Sequence, residues 1–183
     1  MSVPRLLAFV LATIGVVLAV VVIRVGDRSP TSSDAGPAPV AARPEGDRTG
    51  SAERRALRVL HAWDDRRAGA YRSGSGPTLR SLYATGASAG DADVRLLRSY
   101  RLRGFTVAGM RTQVLSLEVL SSGRERLRVR VDDRVVGAVA VRGAERLRLP
   151  RDTASTRVLT FARSGAGRWR VSAVRDARRE RPS

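Results

Sequence analysis

From Arg126 to Val131 arginine and aliphatic residues alternate without a break, as RLRVRV. A period of two puts Arg126, Arg128 and Arg130 on one face of a strand and Leu127, Val129 and Val131 on the other. The same alternation recurs in ERLRLP, where Leu147 and Leu149 oppose Arg146 and Arg148. It recurs again in GRWRVSAV, where Trp169, Val171 and Ala173 oppose Arg168 and Arg170. This pattern calls for a half-buried antiparallel sheet with one apolar and one wet face. The strands predicted after Gly104 are Phe105 to Met110, Thr112 to Leu120, Arg126 to Ala140 with an irregularity near Asp132-Asp133, Thr156 to Arg163, and Arg168 to Val174. SGAG at 164–167 is a hairpin turn between the last two.

Before Gly104 the period is helical. Ser51 is the expected N-cap of a first helix, with Glu53 in its first turn. Steps of 100° gather Ala52, Ala56, Val59, Leu60, Trp63, Ala70 and Tyr71 on one side and Arg54, Arg58, His61 and Asp65 on the other. GSGP at 74–77 stops this helix, TLRSLYA (78–84) reads as a short second one, and DADVRLLRSYRLRG as a third with Asp91 as its cap. Three helices followed by a meander is an α+β order.

Leu6 to Ile23 carries no charged residue and is bracketed by Arg5 and Arg24. As a helix it spans about 27 Å, close to the ~30 Å hydrocarbon core of a bilayer. No small-x-small cleavage site follows it, which favours an uncleaved anchor over a signal peptide. The expected organisation is an N-terminal flank (1–5), a transmembrane anchor (6–25), a disordered Pro/Gly/Ser/Asp-rich linker (26–50), a folded domain (51–176) and a charged tail (177–183). Arg24, Arg28 and Arg43 lean toward a cytoplasmic domain by the positive-inside rule. The short basic start followed by an apolar run reads instead as a signal-anchor, and we expect the domain outside.

Net charge is +17, with 34 basic and 17 acidic residues. Such a balance suits an anionic partner. All the basic residues are arginine, however, and lysine and asparagine are absent. G/C-rich codons produce that bias without selection for binding. With no cysteine there is no disulfide or thiolate site, and a single histidine argues against a histidine-centred metal site on chemical grounds. No cofactor and no metal is expected.

ALRVLHAWDDRRAGAYRSG, LRSLYATGA and the terminal RWRVSAV together resemble the NTF2-like, or SnoaL-like, superfamily over about residues 53–176. The whole chain is similar to membrane-anchored actinobacterial members, including Mce-associated proteins. The resemblance implies an α+β cone, three helices packed on a curved antiparallel sheet behind one transmembrane helix. It implies little about activity, because that fold serves enzymes, ligand binders and non-catalytic partner domains alike. Gly74-Ser75-Gly76 replaces the usual Gly-Asp after the first helix, which removes that turn's customary cap.

Catalytic members of such a family need a carboxylate or histidine inside the cone. His61 and Asp65 fall on the polar face and read as a solvated i,i+4 pair. Asp64 sits at the edge of the apolar side, and Asp93 is able to face inward although the helix dipole already accounts for it. Arg67 lies amid the buried face, either lining a pocket mouth or snorkelling past Tyr71. Trp63, Tyr83, Tyr100 and Trp169 would wall a cavity or simply form core. The surface set for anionic lipid or wall polymer is Arg126, Arg128, Arg130, Arg146, Arg148, Arg168 and Arg170. The leading expectation is a non-catalytic accessory domain of the cell envelope, whose partners are the membrane and an envelope protein or a second copy of the chain. A small-molecule binder or lyase/isomerase using the cone is the alternative. Nucleic acid is not expected, since no aromatic row interleaves with the arginines.

Overall fold

The computed structural model describes residues 45–177. The expected anchor, most of the expected linker and the end of the tail lie outside these residues. Among those described, no helix is long and apolar enough to cross a membrane.

Three helices come first: α1 (Glu45–Ser73), α2 (Gly76–Arg80) and α3 (Ser88–Leu102). Seven strands follow: β1 (Thr106–Ala108), β2 (Arg111–Ser122), β3 (Arg126–Val136), β4 (Val139–Arg142), β5 (Glu145–Arg148), β6 (Ser155–Arg163) and β7 (Trp169–Asp176). The larger sheet has the order β2-β3-β6-β7 and the smaller one β1-β4-β5, and every named pairing is antiparallel. The result is an α+β fold with helices over a curved antiparallel sheet. Bulges at Leu115, Leu120 and Ser172 break the register of β2 and β7, and such insertions bend a sheet.

The α1 apolar face is as its period predicts, with Ala56, Leu60, Trp63, Ala70 and Tyr71 at 0–2% exposure. The helix begins six residues before Ser51, inside the stretch expected to be linker. Ser51 is therefore an interior residue rather than a cap. Ser75 caps α2, its Oγ accepting from the Thr78 N–H at 3.2 Å. Serine thus replaces the acid that the turn was expected to need. α3 starts at Ser88 with no side-chain cap. Asp91 is not that cap because its carboxylate instead accepts from Arg80 at 2.6 Å.

The main core lies between the helices and the concave face of the larger sheet, where Leu127, Val129, Val131, Leu159, Phe161 and Val171 are all fully buried. The predicted irregularity at Asp132-Asp133 is not on β3. Alternation runs through to Asp133 on the buried face, and the strand ends at Gly137, whose φ of 73° suits glycine. β4 then turns into the smaller sheet. Two further expectations fail for local reasons. Leu147 is 37% exposed because β5 is an edge strand exposed along its whole length. On β7 the bulge at Ser172 reverses the alternation, so Val171 and Val174 pack on the core while Ala173 does not belong to that inward series.

Candidate functional site

The space between the helices and the larger sheet holds a charged network that links α1, the β-bridge segment after α2, and α3. Tyr83 pairs with Val171 in an isolated bridge, which fixes the loop against β7. Asp93, 7% exposed, lies in the second turn of α3 and points into the core. Arg67 reaches it from α1 in a bidentate pair, Nε to Oδ2 at 2.7 Å and Nη2 to Oδ1 at 2.6 Å. The Tyr71 hydroxyl donates to Oδ1 at 2.6 Å and the Tyr83 hydroxyl to Oδ2 at 2.7 Å. The Arg67 guanidinium also lies 5.2 Å from the Tyr71 ring and 5.8 Å from the Trp63 ring. Trp63 donates its indole N–H to the Leu82 carbonyl at 3.3 Å and meets Tyr83 edge-on. Arg67 therefore neither lines a pocket mouth nor snorkels.

The electrostatics follow from these contacts. Burial disfavours the Asp93 anion, but the hydrogen bonds and charge of Arg67, then the two tyrosine hydroxyls, outweigh it and hold the carboxyl below its ordinary range. Burial likewise opposes the Arg67 charge, and Asp93 more than compensates, pushing that pKa up. Burial and the adjacent Asp93 anion both raise Tyr71 and Tyr83, so the phenols stay protonated and keep donating.

A second cluster lies on the β-sheet side. Asp133, 1% exposed, accepts from Arg157 Nε at 2.9 Å and from its Nη2 as well. Asp64 is half-buried nearby, and its Oδ2 is buried without a hydrogen-bond partner. Burial pushes its pKa up to about 6, and Asp133 adds to this, against a hydrogen bond from Thr112 and the charges of Arg67 and Arg157. Asp133 and Arg157 were not singled out by sequence reasoning. The signal was present, since Asp133 falls on the apolar parity of β3, where an acid demands a partner.

The remaining expected residues go elsewhere. Tyr100 is half-buried against the main core and carries the Arg103 guanidinium 5.2 Å from its ring. His61 and Asp65 are exposed. Trp169 is partly buried against the main core, with its ring beneath the Arg55 guanidinium at 5.5 Å. A cleft of about 370 Å³ there is lined by Arg66, Ser73, Thr78, Arg168, Trp169 and Arg170, among others. A neighbouring cleft of about 290 Å³ shares Arg66 and Trp169 and adds Arg55 and Arg58. A third, of about 350 Å³, lies against Val94, Leu97 and Leu102 of α3. None of the three is lined by Asp64, Asp93 or Asp133.

The seven surface arginines do not form one field. Arg126, Arg128 and Arg130 share the convex face of β3, with Arg130 paired to Glu118 at 2.6 Å. Their stems have a packing role too: Val158, 1% exposed but outside the main core, has Arg130 and Arg175 as its register partners. Arg146 and Arg148 belong to the smaller sheet, and Arg168 and Arg170 line the cleft on α1. Two sheets and a bulge separate what a single period suggested as one surface. Among the described residues no cluster of three or more His, Cys, Asp or Glu is placed to hold a metal.

No family model and no curated protein sequence matches the chain. Solved structures similar to it include Aln2 from a Streptomyces species, at 12% identity over 66% of this chain and 88% of that one, with a TM-score of 0.45. An NTF2-like protein of unknown function from Pseudomonas aeruginosa is similar at 18% identity over 67% and 94%, with a TM-score of 0.39. The beta subunit of the benzoate 1,2-dioxygenase from Burkholderia mallei is similar at 10% identity over 63% and 85%, with a TM-score of 0.43.

Proposed function

We propose that this chain is a non-catalytic NTF2-like interaction module, held at the outer face of a cell membrane by its apolar run at 6–23. The observation that carries the non-catalytic part is the saturation of Asp93. Both oxygens already accept from Arg67, and each accepts from a tyrosine hydroxyl as well. A general base needs a free lone pair within reach of the substrate proton. Asp93 has none to spare, and the buried rings of Trp63, Tyr71 and Tyr83 pack around the Arg67 guanidinium and one another. Such a closed ionic group favours one arrangement of α1 against α3 and so a rigid platform. The family assignment rests on the residues quoted above and the order of elements, and the envelope location on the uncharged run and its flanks.

The interaction reading is tested with a photo-crosslinking residue introduced singly at Ala62, Leu102 and Leu147 of the full-length chain in its own cells. A discrete adduct at one of these positions is expected, and none at any of them in well-expressed protein counts against an interaction role. Location is tested by single cysteines at Ser33 and Ser183 and an impermeant thiol reagent on intact cells. Labelling of both is expected, and protection until lysis would place the domain in the cytoplasm.

A second reading, a small-molecule binder or lyase/isomerase, is favoured by one observation. Asp64 has a buried, unpartnered oxygen and a pKa of about 6, suited to proton transfer near neutrality. It requires a channel to Asp64. Rapid modification of Asp64 by a water-soluble carbodiimide and amine at pH 6, read by peptide mass in the folded protein, would support that channel.

A further inference from the structure

We propose that the groove running along α1 and closed by the start of β7 binds an extended acidic peptide segment of a partner protein. This rests on the interaction reading above and names its surface and the chemistry of its partner.

The groove is built from two clefts joined at Arg66 and Trp169. Its helical wall is one stripe of α1 from Arg55 to Ser73, at spacings of three and four, so its length is about 27 Å. An extended peptide rises ~3.3 Å per residue, so about eight residues lie along it. The floor is apolar, with Val59, Ala62, Ala70, Leu82 and the half-buried Trp169 ring. The rim is cationic, with Arg55, Arg58, Arg66, Arg168 and Arg170, and none of the residues lining either cleft is acidic.

Two of these arginines are held in place. Arg55 donates to the Gly123 carbonyl at 3.0 Å and stacks on Trp169, while Arg66 Nε donates to the Ala62 carbonyl at 2.7 Å. The guanidinium groups of three others, Arg58, Arg168 and Arg170, make no hydrogen bond or ion pair among the described residues. The Thr78 hydroxyl accepts from Ser75 at 2.7 Å, which leaves its own proton to donate into the cleft. Guanidinium forks matched to carboxylates over an apolar floor suit a segment that mixes Asp or Glu with apolar side chains.

Other polyanions fit less well. Single-stranded nucleic acid needs a succession of stacking platforms, and this groove offers one ring already covered by Arg55. A bilayer is flat, and its headgroups would leave uncovered the buried floor of Val59, Ala70 and Leu82 between α1 and β7.

The test measures binding of a fluorescein-labelled twelve-residue peptide alternating Glu with Leu or Phe to the full-length chain in detergent, by anisotropy at 50 and 300 mM NaCl. The variants are the groove triple Arg66→Gln, Arg168→Gln, Arg170→Gln and the charge-matched triple Arg126→Gln, Arg146→Gln, Arg148→Gln, with folding checked by circular dichroism. A groove site predicts at least tenfold weakening in the first and less than twofold in the second. Arg168→Glu alone should weaken binding fivefold or more, which keeps the test open if the groove triple misfolds. Equal weakening by both triples overturns the proposal, because net charge would then be responsible. Tighter, groove-dependent binding of an oligonucleotide or of phosphatidylglycerol vesicles overturns the peptide as occupant. If the peptide fails while crosslinked adducts form at Leu102 or Leu147, the groove is wrong and the interaction reading stands. Failure of both rejects both.

Discussion

Removing the Asp93 carboxylate tests the buried network directly. Asp93→Ala leaves the Arg67 guanidinium, 17% exposed, without its counter-charge and the buried Tyr83 hydroxyl without its acceptor, while the Tyr71 hydroxyl keeps only the backbone carbonyl of residue 93 at 3.2 Å. Breaking a buried ion pair from one side costs about 3–5 kcal/mol. Each lost hydrogen bond to a charged group is worth ~1.5–3 kcal/mol, but groups sharing one acceptor do not add. A loss of about 4 kcal/mol is therefore expected, a large share of a domain stability of roughly 5–15 kcal/mol. The double variant Arg67→Met, Asp93→Leu removes both charges together, so it should cost about 2 kcal/mol, mainly through the Tyr83 hydroxyl left without an acceptor. Urea unfolding of the full-length chain, followed by circular dichroism, gives the four corners of the cycle. The expected coupling between positions 67 and 93 is at least ~2 kcal/mol. Coupling below about 0.5 kcal/mol, the scale of a solvated surface pair, would refute the buried-network argument.

The same pair fixes a pH dependence. The folded pKa of Asp93 lies below its unfolded value near 3.9, so its contribution is present above that value and is lost as pH falls below it. In Arg67→Met burial is left to dominate, the folded pKa rises, and stability should increase as pH falls from 7 toward 5. No change of slope between wild type and Arg67→Met would contradict the assignment.

Three further outcomes are expected. Asp64 has a folded pKa of about 6, above its unfolded value, so its ionisation destabilises the fold above pH 6, and that cost disappears as pH falls toward 4. Asp64→Asn should thus stabilise by about 1–3 kcal/mol at pH 7.5 and by little at pH 4.5, and the reverse order in urea unfolding would show that Asp64 is solvated. Gly90→Ala should destabilise by about 1–3 kcal/mol despite the gain in helix propensity, because the new Cβ would stand 2.7 Å from Tyr83 Cβ and Cγ. A raised melting temperature for that variant would mean that Tyr83 moves freely. Asp133→Ala should cost about 3 kcal/mol by stranding Arg157, whereas Asp91→Ala, whose partner Arg80 is exposed, should cost under ~1 kcal/mol in the same assay.

Local periodicity by itself determined the α+β order, the buried face of α1 and the inward row Leu127, Val129 and Val131, because each depends only on spacings of 3.6 or 2 within one element. It also kept His61 and Asp65 in solvent. Beyond the SGAG hairpin that joins β6 to β7, it could not carry the pairings between elements. Asp93 has a sufficient local explanation as an early-turn acid, and only the packing of α3 on α1 brings it to Arg67, 26 residues away. Asp133 looks like an interruption until β6 supplies Arg157 as its neighbour, 24 residues on. Arginines that share one alternation along the chain are divided between two sheets and a groove, since β-bulges and the Gly137 turn change direction without changing the pattern of residue types. Burial parity is written residue by residue. The partner of a buried charge is chosen by the curvature of the sheet and the way the helices cross it, and those exist only in the folded chain.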